Sequence, residues 1–101
     1  KMYGTIGIFK IQPGNEEAAA SHFNSWWSDR APKVKGAIAG SVHRNGANPS
    51  EFILSVVFDS KDTYEANAAD PEQEKWYQGL RAFLAADPRW MDGDVLGCIH
   101  V

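Results

Sequence analysis

The sequence predicts an α+β domain whose elements follow one another as β-α-β-β-α-β. Three observations carry this. Segments rich in Ile, Val and Phe alternate with segments whose apolar residues recur at helical spacing. Pro13-Gly14 and the run Asn45 to Ser50 supply turn chemistry between them. The two helical segments each carry an adjacent aromatic pair, Trp26-Trp27 in one and Trp76-Tyr77 in the other.

Taken in order, Tyr3 to Ile11 is predicted as the first strand, with Gly4 and Gly7 leaving room for close approach to the sheet. After Pro13-Gly14, Asn15 is placed to cap a helix, and Glu16 and Glu17 suit its positive end. That helix is predicted to reach Arg30, because Pro32 disfavours helical geometry at Ala31. Ala19, Phe23, Trp26 and Trp27 form its apolar stripe. Gly36 to Arg44 is predicted as the second strand and Asn45 to Ser50 as a hairpin loop. Glu51 to Asp59 is the strongest strand, and its near-continuous hydrophobicity predicts burial on both faces. Ser60 caps a short helix over 61–68. Asp70-Pro71-Glu72-Gln73 resembles a capping box with proline at the first helical position, opening a helix that stops before Asp87-Pro88. Arg89 to Asp94 is predicted as a loop and Val95 to Val101 as the last strand.

This order defines a ferredoxin-like arrangement: a four-stranded antiparallel sheet with helices on one face. Residues 1–101 are expected to form one domain. Lys1, ahead of Met2, is expected to play no part in it. The apolar third strand requires cover on the sheet's other face, and a second copy supplies it by packing sheet against sheet as a dimeric α+β barrel. Four Trp, three Tyr and five Phe exceed what so small a core needs, so the surplus is expected to line a ligand cavity, seal a subunit interface, or both.

A formal charge of -3 with scattered lysines and arginines argues against nucleic acid and anionic membrane as partners. Cys98 is alone and cannot form an internal disulfide; it is expected to be a buried small hydrophobe in its strand. No apolar run reaches the length of a membrane span and no signal-peptide pattern opens the chain, so a cytoplasmic location is expected.

Two stretches carry a family resemblance. One is the turn Lys10-Ile11-Gln12-Pro13-Gly14-Asn15-Glu16-Glu17 from the opening strand into the first helix. The other is Phe52 to Phe58 running into Asp59-Ser60-Lys61-Asp62-Thr63. With these the chain resembles the antibiotic biosynthesis monooxygenase family of small dimeric α+β barrels. The resemblance implies a pocket between the sheet and the helices of each subunit. It also implies, for some members, oxidation of polycyclic aromatic substrates by molecular oxygen with no metal or flavin. Other members degrade haem with an asparagine on the first strand and a histidine on the last long helix. Here the first strand offers Thr5, and Pro71 to Ala86 holds no histidine, so haem is disfavoured and no cofactor is expected.

Among chemistry-bearing residues, His43 is the candidate general base: alternation groups it with Ala37, Ala39 and Ser41, small residues that could leave a cavity above the sheet. Its alternative is an exposed histidine near a strand end. Tyr77 and Arg81, one turn apart, are candidate stabilisers of a substrate anion, the alternative being a surface contact. Phe23, Trp26 and Trp76 are candidate walls, or simply core. His22 borders the apolar stripe and could reach the cavity or stand in solvent; His100 has little claim. Trp27 is expected to leave the core for an interface, and Trp90 to serve as a lid or dimer contact. No HExxH, zinc-ligand spacing, GxGxxG, P-loop or GxSxG occurs, so no metal or nucleotide is expected. The expected function is that of a cofactor-independent monooxygenase acting as a homodimer on a small hydrophobic or aromatic substrate. The alternative is a non-catalytic ligand-binding or stress-related barrel of the same fold.

Overall fold

A computed structural model describes residues 1–101. Strand β1 (Tyr3–Lys10) leads to helix α1 (Glu16–Ser25), which continues through a π turn (Trp26–Arg30) and a 3-10 turn (Ala31–Lys33). Strands β2 (Ala37–Asn45) and β3 (Asn48–Phe58) form a hairpin, followed by α2 (Lys61–Ala68), α3 (Pro71–Arg81) and β4 (Arg89–Asp94). The four strands make one antiparallel sheet in the order β2-β3-β1-β4, with the helices on one face, which is the ferredoxin-like arrangement.

Pleating fixes which side chains meet the helices. Tyr3, Thr5, Gly7 and Phe9 of β1 stand beside Phe58, Val56, Leu54 and Phe52 of β3 in register and face the helices. Phe9, Phe23, Phe52, Ala19, Leu80 and Leu84 close the core around them, with Phe9 packed edge-on against Phe23 at 5.0 Å. The helix ends follow their caps. Thr63 N donates to Ser60 Oγ (3.2 Å) and Glu72 N to Asp70 Oδ1 (2.9 Å), so both predicted caps form, but the reciprocal bond of a capping box does not, because Asp70 N donates to Asn67 O and Gln73 Oε1 accepts from Trp26 Nε1. At α1 the expected cap is absent: the Asn15 side chain donates to Gln12 Oε1, while Glu16 accepts from Gly14 N and Ser50 Oγ, each at 2.8 Å.

Four boundaries differ from the sequence reading. The β2–β3 loop shrinks to Gly46 and Ala47, because Asn45 Oδ1 accepts from Ala47 N (2.9 Å) and strand pairing resumes at Asn48. Helix α3 ends at Arg81, five residues short of Ala86, where the chain turns back to β1: Gln12 N donates to Phe83 O and Ala85 N to Lys10 O. The α-helical part of the first helix ends at Ser25, and the π turn carries the chain on to Arg30. The last strand is Arg89–Asp94, not Val95 to Val101. It pairs with β1 from Ile8↔Arg89 to Tyr3↔Asp94, and the segment beyond lies outside the sheet. There Cys98 is exposed rather than buried.

The face away from the helices is apolar and open. Ile6 and Met91, neighbours in register, are 39% and 42% exposed on it.

Gly36 sits at φ 85°, a backbone conformation that L side chains rarely adopt. A Cβ there would come within 2.6 Å of Thr63, and Gly36 O accepts from Asp59 N. Gly36→Ala is therefore expected to lower the unfolding free energy by about 1–3 kcal/mol, read from the urea midpoint.

Candidate functional site

Between the helix-facing side of the sheet and the three helices lies a cavity of about 380 Å³. Its floor comes from Leu54, Val56 and Phe58 of β3 with Thr5 and Phe9 of β1. All four tryptophans of the chain line it, with Phe23, Tyr77 and Leu80.

Local structure explains how so many rings converge. The π turn at Trp26–Arg30 is widened by one residue, with Ala31 N donating to Trp26 O. Trp26 is buried, and Trp27 meets it edge-on at 5.1 Å. Trp27 does not leave for an interface: its ring lies on Gly40 of β2, where a Cβ would collide with it. Trp90 belongs to β4 rather than a loop, and packs edge-on against Phe9 at 5.2 Å. Two indole N–H groups are satisfied within the protein. Trp26 Nε1 donates to Gln73 Oε1 (2.8 Å), and Trp76 Nε1 to Ser25 Oγ (3.0 Å), which itself donates to His22 O. These rings are thus locked and turn carbon, not hydrogen-bond donors, to the cavity.

Arg30 secures the rim. Its guanidinium donates to Asn67 Oδ1 (2.9 Å) and Gln73 Oε1 (3.3 Å) and pairs with Asp70 at 3.6 Å, with only 13% of its side chain exposed. It ties the π turn to the end of α2 and the start of α3, and it is occupied there. The lining contains no Lys, Arg or His; its ionisable members other than the tyrosines are Glu74 and Asp92.

Among the polar members of the lining, which include Thr5, Asn67, Gln73, Glu74 and Tyr77, one hydrogen-bonded pair bridges α2 and β4. Tyr64 of α2 donates its hydroxyl to Asp92 Oδ1 of β4 at 3.0 Å, beside buried Thr5, whose register partner is Asp92. Tyr64 is wedged between Tyr3 (5.3 Å) and Phe58 (5.5 Å). Burial first, then the bond to Asp92, pushes its pKa up to about 12. It is therefore a dependable O–H donor at neutral pH.

Of the residues singled out in the sequence, Phe23, Trp26, Trp76 and Tyr77 meet in this cavity. His43 does not. Gly40 and Val42 of β2 face the helices, so alternation turns His43 to the opposite face, where it is exposed. Arg81 is also outside the lining: it is exposed and paired with Asp87, which holds its charge more firmly than usual. His22 is neither solvated nor in the cavity. It stacks on Trp76 (5.0 Å), bonds Trp76 O through Nε2 (2.7 Å) and covers Gly79. Sequence reasoning missed Tyr64 and Asp92. The signal for Asp92 was the last strand's register: placed at 89–94, it sets Asp92 directly opposite Thr5. No three His, Cys, Asp or Glu side chains come together as a metal-binding group.

Comparison with known proteins yields no matching family model and no matching curated protein. Solved structures do match. A protein of Caulobacter crescentus superimposes with a TM-score of 0.85 at 14% identity over 95% of this chain and 91% of its own. One of Chloroflexus aurantiacus gives 0.81 at 22% identity over 99% and 98%. One of Nitrosomonas europaea gives 0.83 at 15% over 94% and 90%. All three are provisionally named antibiotic biosynthesis monooxygenases. This chain shares their fold. The resemblance drawn from the turn after β1 and the junction after β3 thus holds at the level of architecture.

Two measurements check the geometry. Stability is expected to fall as pH rises from about 10, where unfolded tyrosine ionises, to about 12, where folded Tyr64 does. Asp92→Asn should narrow that window without closing it, because burial is the larger cause. Gln73→Leu strips Trp26 Nε1 and Arg30 of their shared acceptor, and should cost about 1–3 kcal/mol by urea unfolding.

Proposed function

We propose that the chain is a cofactor-independent monooxygenase of the antibiotic biosynthesis monooxygenase type, one domain over residues 1–101, acting on a small hydroxylated aromatic molecule. The observation that carries this is the cavity walled by four tryptophans with the Tyr64–Asp92 pair set into it. The shared fold supports the same reading. The aromatic walls grip a planar apolar ring by stacking and edge contacts. An acidic lining with no cation favours a neutral ligand over a carboxylate.

The Asp92 carboxylate is the base that takes an acidic hydrogen from the bound substrate. Tyr64 Oη, protonated at neutral pH, then turns its hydrogen to the substrate oxygen on which negative charge gathers. Tyr77, on the cavity wall, is a second phenol within the same enclosure. The substrate anion surrenders electrons to molecular oxygen. One oxygen atom is retained on the substrate carbon, and the other leaves as water with the two hydrogens the substrate has lost. The substrate supplies all four electrons that reduce the oxygen molecule, its CH2 group becoming C=O, so the protein's part is to bind, deprotonate and exclude solvent. His43 and Arg81, outside the cavity, take no part.

The open sheet face belongs to the same reading. Ile6 and Met91, with Ile8 and Ile53 beside them, make it the contact face of a homodimeric barrel. No helix is long and apolar enough to cross a membrane, and an exposed single thiol accords with a reducing, cytoplasmic setting.

The test uses a dihydroxyanthrone and an oxygen electrode. Oxygen uptake above the protein-free rate is expected, and Asp92→Asn should lower kcat about 10²–10⁴-fold. Tryptophan quenching by the ligand should survive that change, since all four indoles line the cavity. Quenching with no uptake above background would leave a binding protein and remove the oxygenase. In the same assay 2-naphthol should bind at least tenfold more tightly than 2-naphthoate, and equal affinity would contradict the neutral-ligand reading.

A further inference from the structure

Four carboxylates of this chain pair with a cation: Glu17, Asp70, Asp87 and Asp94. None of them lines the aromatic cavity. The two that do, Glu74 and Asp92, have no cationic partner. Each receives a single side-chain hydrogen bond: Asp92 from the Tyr64 hydroxyl, and Glu74 Oε1 from Gln78 Nε2 at 2.7 Å. A carboxylate offers about four acceptor sites, so most of their capacity is unused by the protein. Both residues are exposed, and water serves them while the cavity is open. A ligand that fills the cavity displaces that water, and it has to return donors or positive charge in its place.

The walls ask for the same thing. The face of an aromatic ring carries the negative end of its quadrupole and attracts a cation, tryptophan most strongly. Trp26 and Trp76 keep their N–H groups bonded to Gln73 and Ser25 and so meet the cavity with carbon. Glu74 and Tyr77, three residues apart, share a face of α3, and the Tyr77 ring meets that of Trp90 at 6.3 Å. An ammonium there would find a carboxylate and two rings together. Arg30, the cation beside the rim, does not oppose it, because Asp70 offsets its charge and its donors are held by Asn67 and Gln73.

We infer that the molecule bound here carries an ammonium group, a protonated or quaternary amine on an aromatic frame, and that Glu74 is the side chain that selects it. The inference rests on the proposed use of the cavity and narrows its ligand. The two carboxylates then divide the work. Asp92 is bonded to Tyr64 and takes the hydroxyl end, where a fixed positive charge would weaken it as a base. Glu74 is free of that task and takes the ammonium. A carboxylate ligand is refused at both ends. The chain's net charge of -3 draws a cation toward the opening from a distance.

Tryptophan quenching by an isosteric pair tests it. 4-Hydroxy-N,N,N-trimethylanilinium and 4-tert-butylphenol share shape and hydroxyl and differ by one charge. They are compared at mildly acidic pH, where both hydroxyls stay protonated. In low salt the cation is expected to bind about tenfold more tightly or better, and the ratio should fall as salt is raised. Glu74→Gln keeps the length of an exposed side chain and an acceptor for Gln78, so the fold persists. It should cut the ratio to about threefold or less. Equal affinity of the two phenols for the wild type would overturn the ammonium and leave a cavity for neutral aromatics standing. A ratio unchanged by Glu74→Gln would overturn Glu74 as the selecting group. Quenching by neither phenol nor by 2-naphthol would remove the ligand cavity itself, and this inference with it.

Discussion

In an antiparallel sheet the side chain of each residue goes to the face its neighbours in the chain do not take, and the pleat allows no exceptions short of a bulge. Most of what is distinctive here follows from that constraint. Along β1 it sends Thr5 and Phe9 toward the helices and Ile6 away. Along β2 it puts Gly40 beneath Trp27 and turns His43 outward. Along β4 it gives Trp90 and Asp92 to the cavity and Met91 to the open face. One geometric rule thereby yields both an aromatic enclosure with a carboxylate in it and an apolar surface without cover.

The same rule shows why the fold was more legible in the amino-acid pattern than the site. Element order, the Ser60 and Asp70 caps and the aromatic stripe of α1 are local properties, and local propensity decided them. The last strand was not local. Arg89 to Asp94 is polar and glycine-containing, while Val95 to Val101 has the composition of a strand, so propensity pointed to the wrong segment. What decides the matter is reach: α3 ends at Arg81, and the chain returns to β1 at Ile11 before β4 begins. Pairing then starts at Ile8 and has run to Tyr3 by Asp94. Once that strand was misplaced, Asp92 read as a loop residue, and its contact with Tyr64, 28 positions earlier, had no visible basis. His43 erred for a related reason: alternation was read correctly, but the small residues were taken to mark the cavity side. The helices chose Gly40 and Val42 instead, because a bare backbone is what the Trp27 ring can lie upon.

The cavity's chemical character comes from what is bonded elsewhere. A tryptophan-lined space would ordinarily offer N–H donors, and Trp26 and Trp76 spend theirs on Gln73 and Ser25. A guanidinium near the rim would ordinarily draw anions, and Arg30 is held by Asn67, Gln73 and Asp70. What these bonds leave is a largely apolar, aromatic surface into which the Tyr64–Asp92 pair is set, with Thr5, Asn67, Glu74 and Tyr77 as further polar members of the lining. A polar pair has more directional influence in such a setting than in water, because apolar walls screen its charge and dipole less.

Burial in this chain is uneven in a way that bears on assembly. Thirteen of 101 residues are buried, so the subunit alone removes little of its apolar surface from water. Its largest side chains, the tryptophans, surround a space rather than fill one. An unfilled apolar cavity forfeits the dispersion contacts its lining would otherwise make, and that loss has to be offset by packing elsewhere. Within one subunit no such reserve remains: β4 is short, α2 contributes no fully buried side chain, and the segment after β4 lies in water. The open sheet face and that segment are the surfaces still able to supply it. An enclosure kept empty for a ligand and a face kept apolar for a partner are thus two sides of one energetic requirement, divided by the thickness of a single sheet.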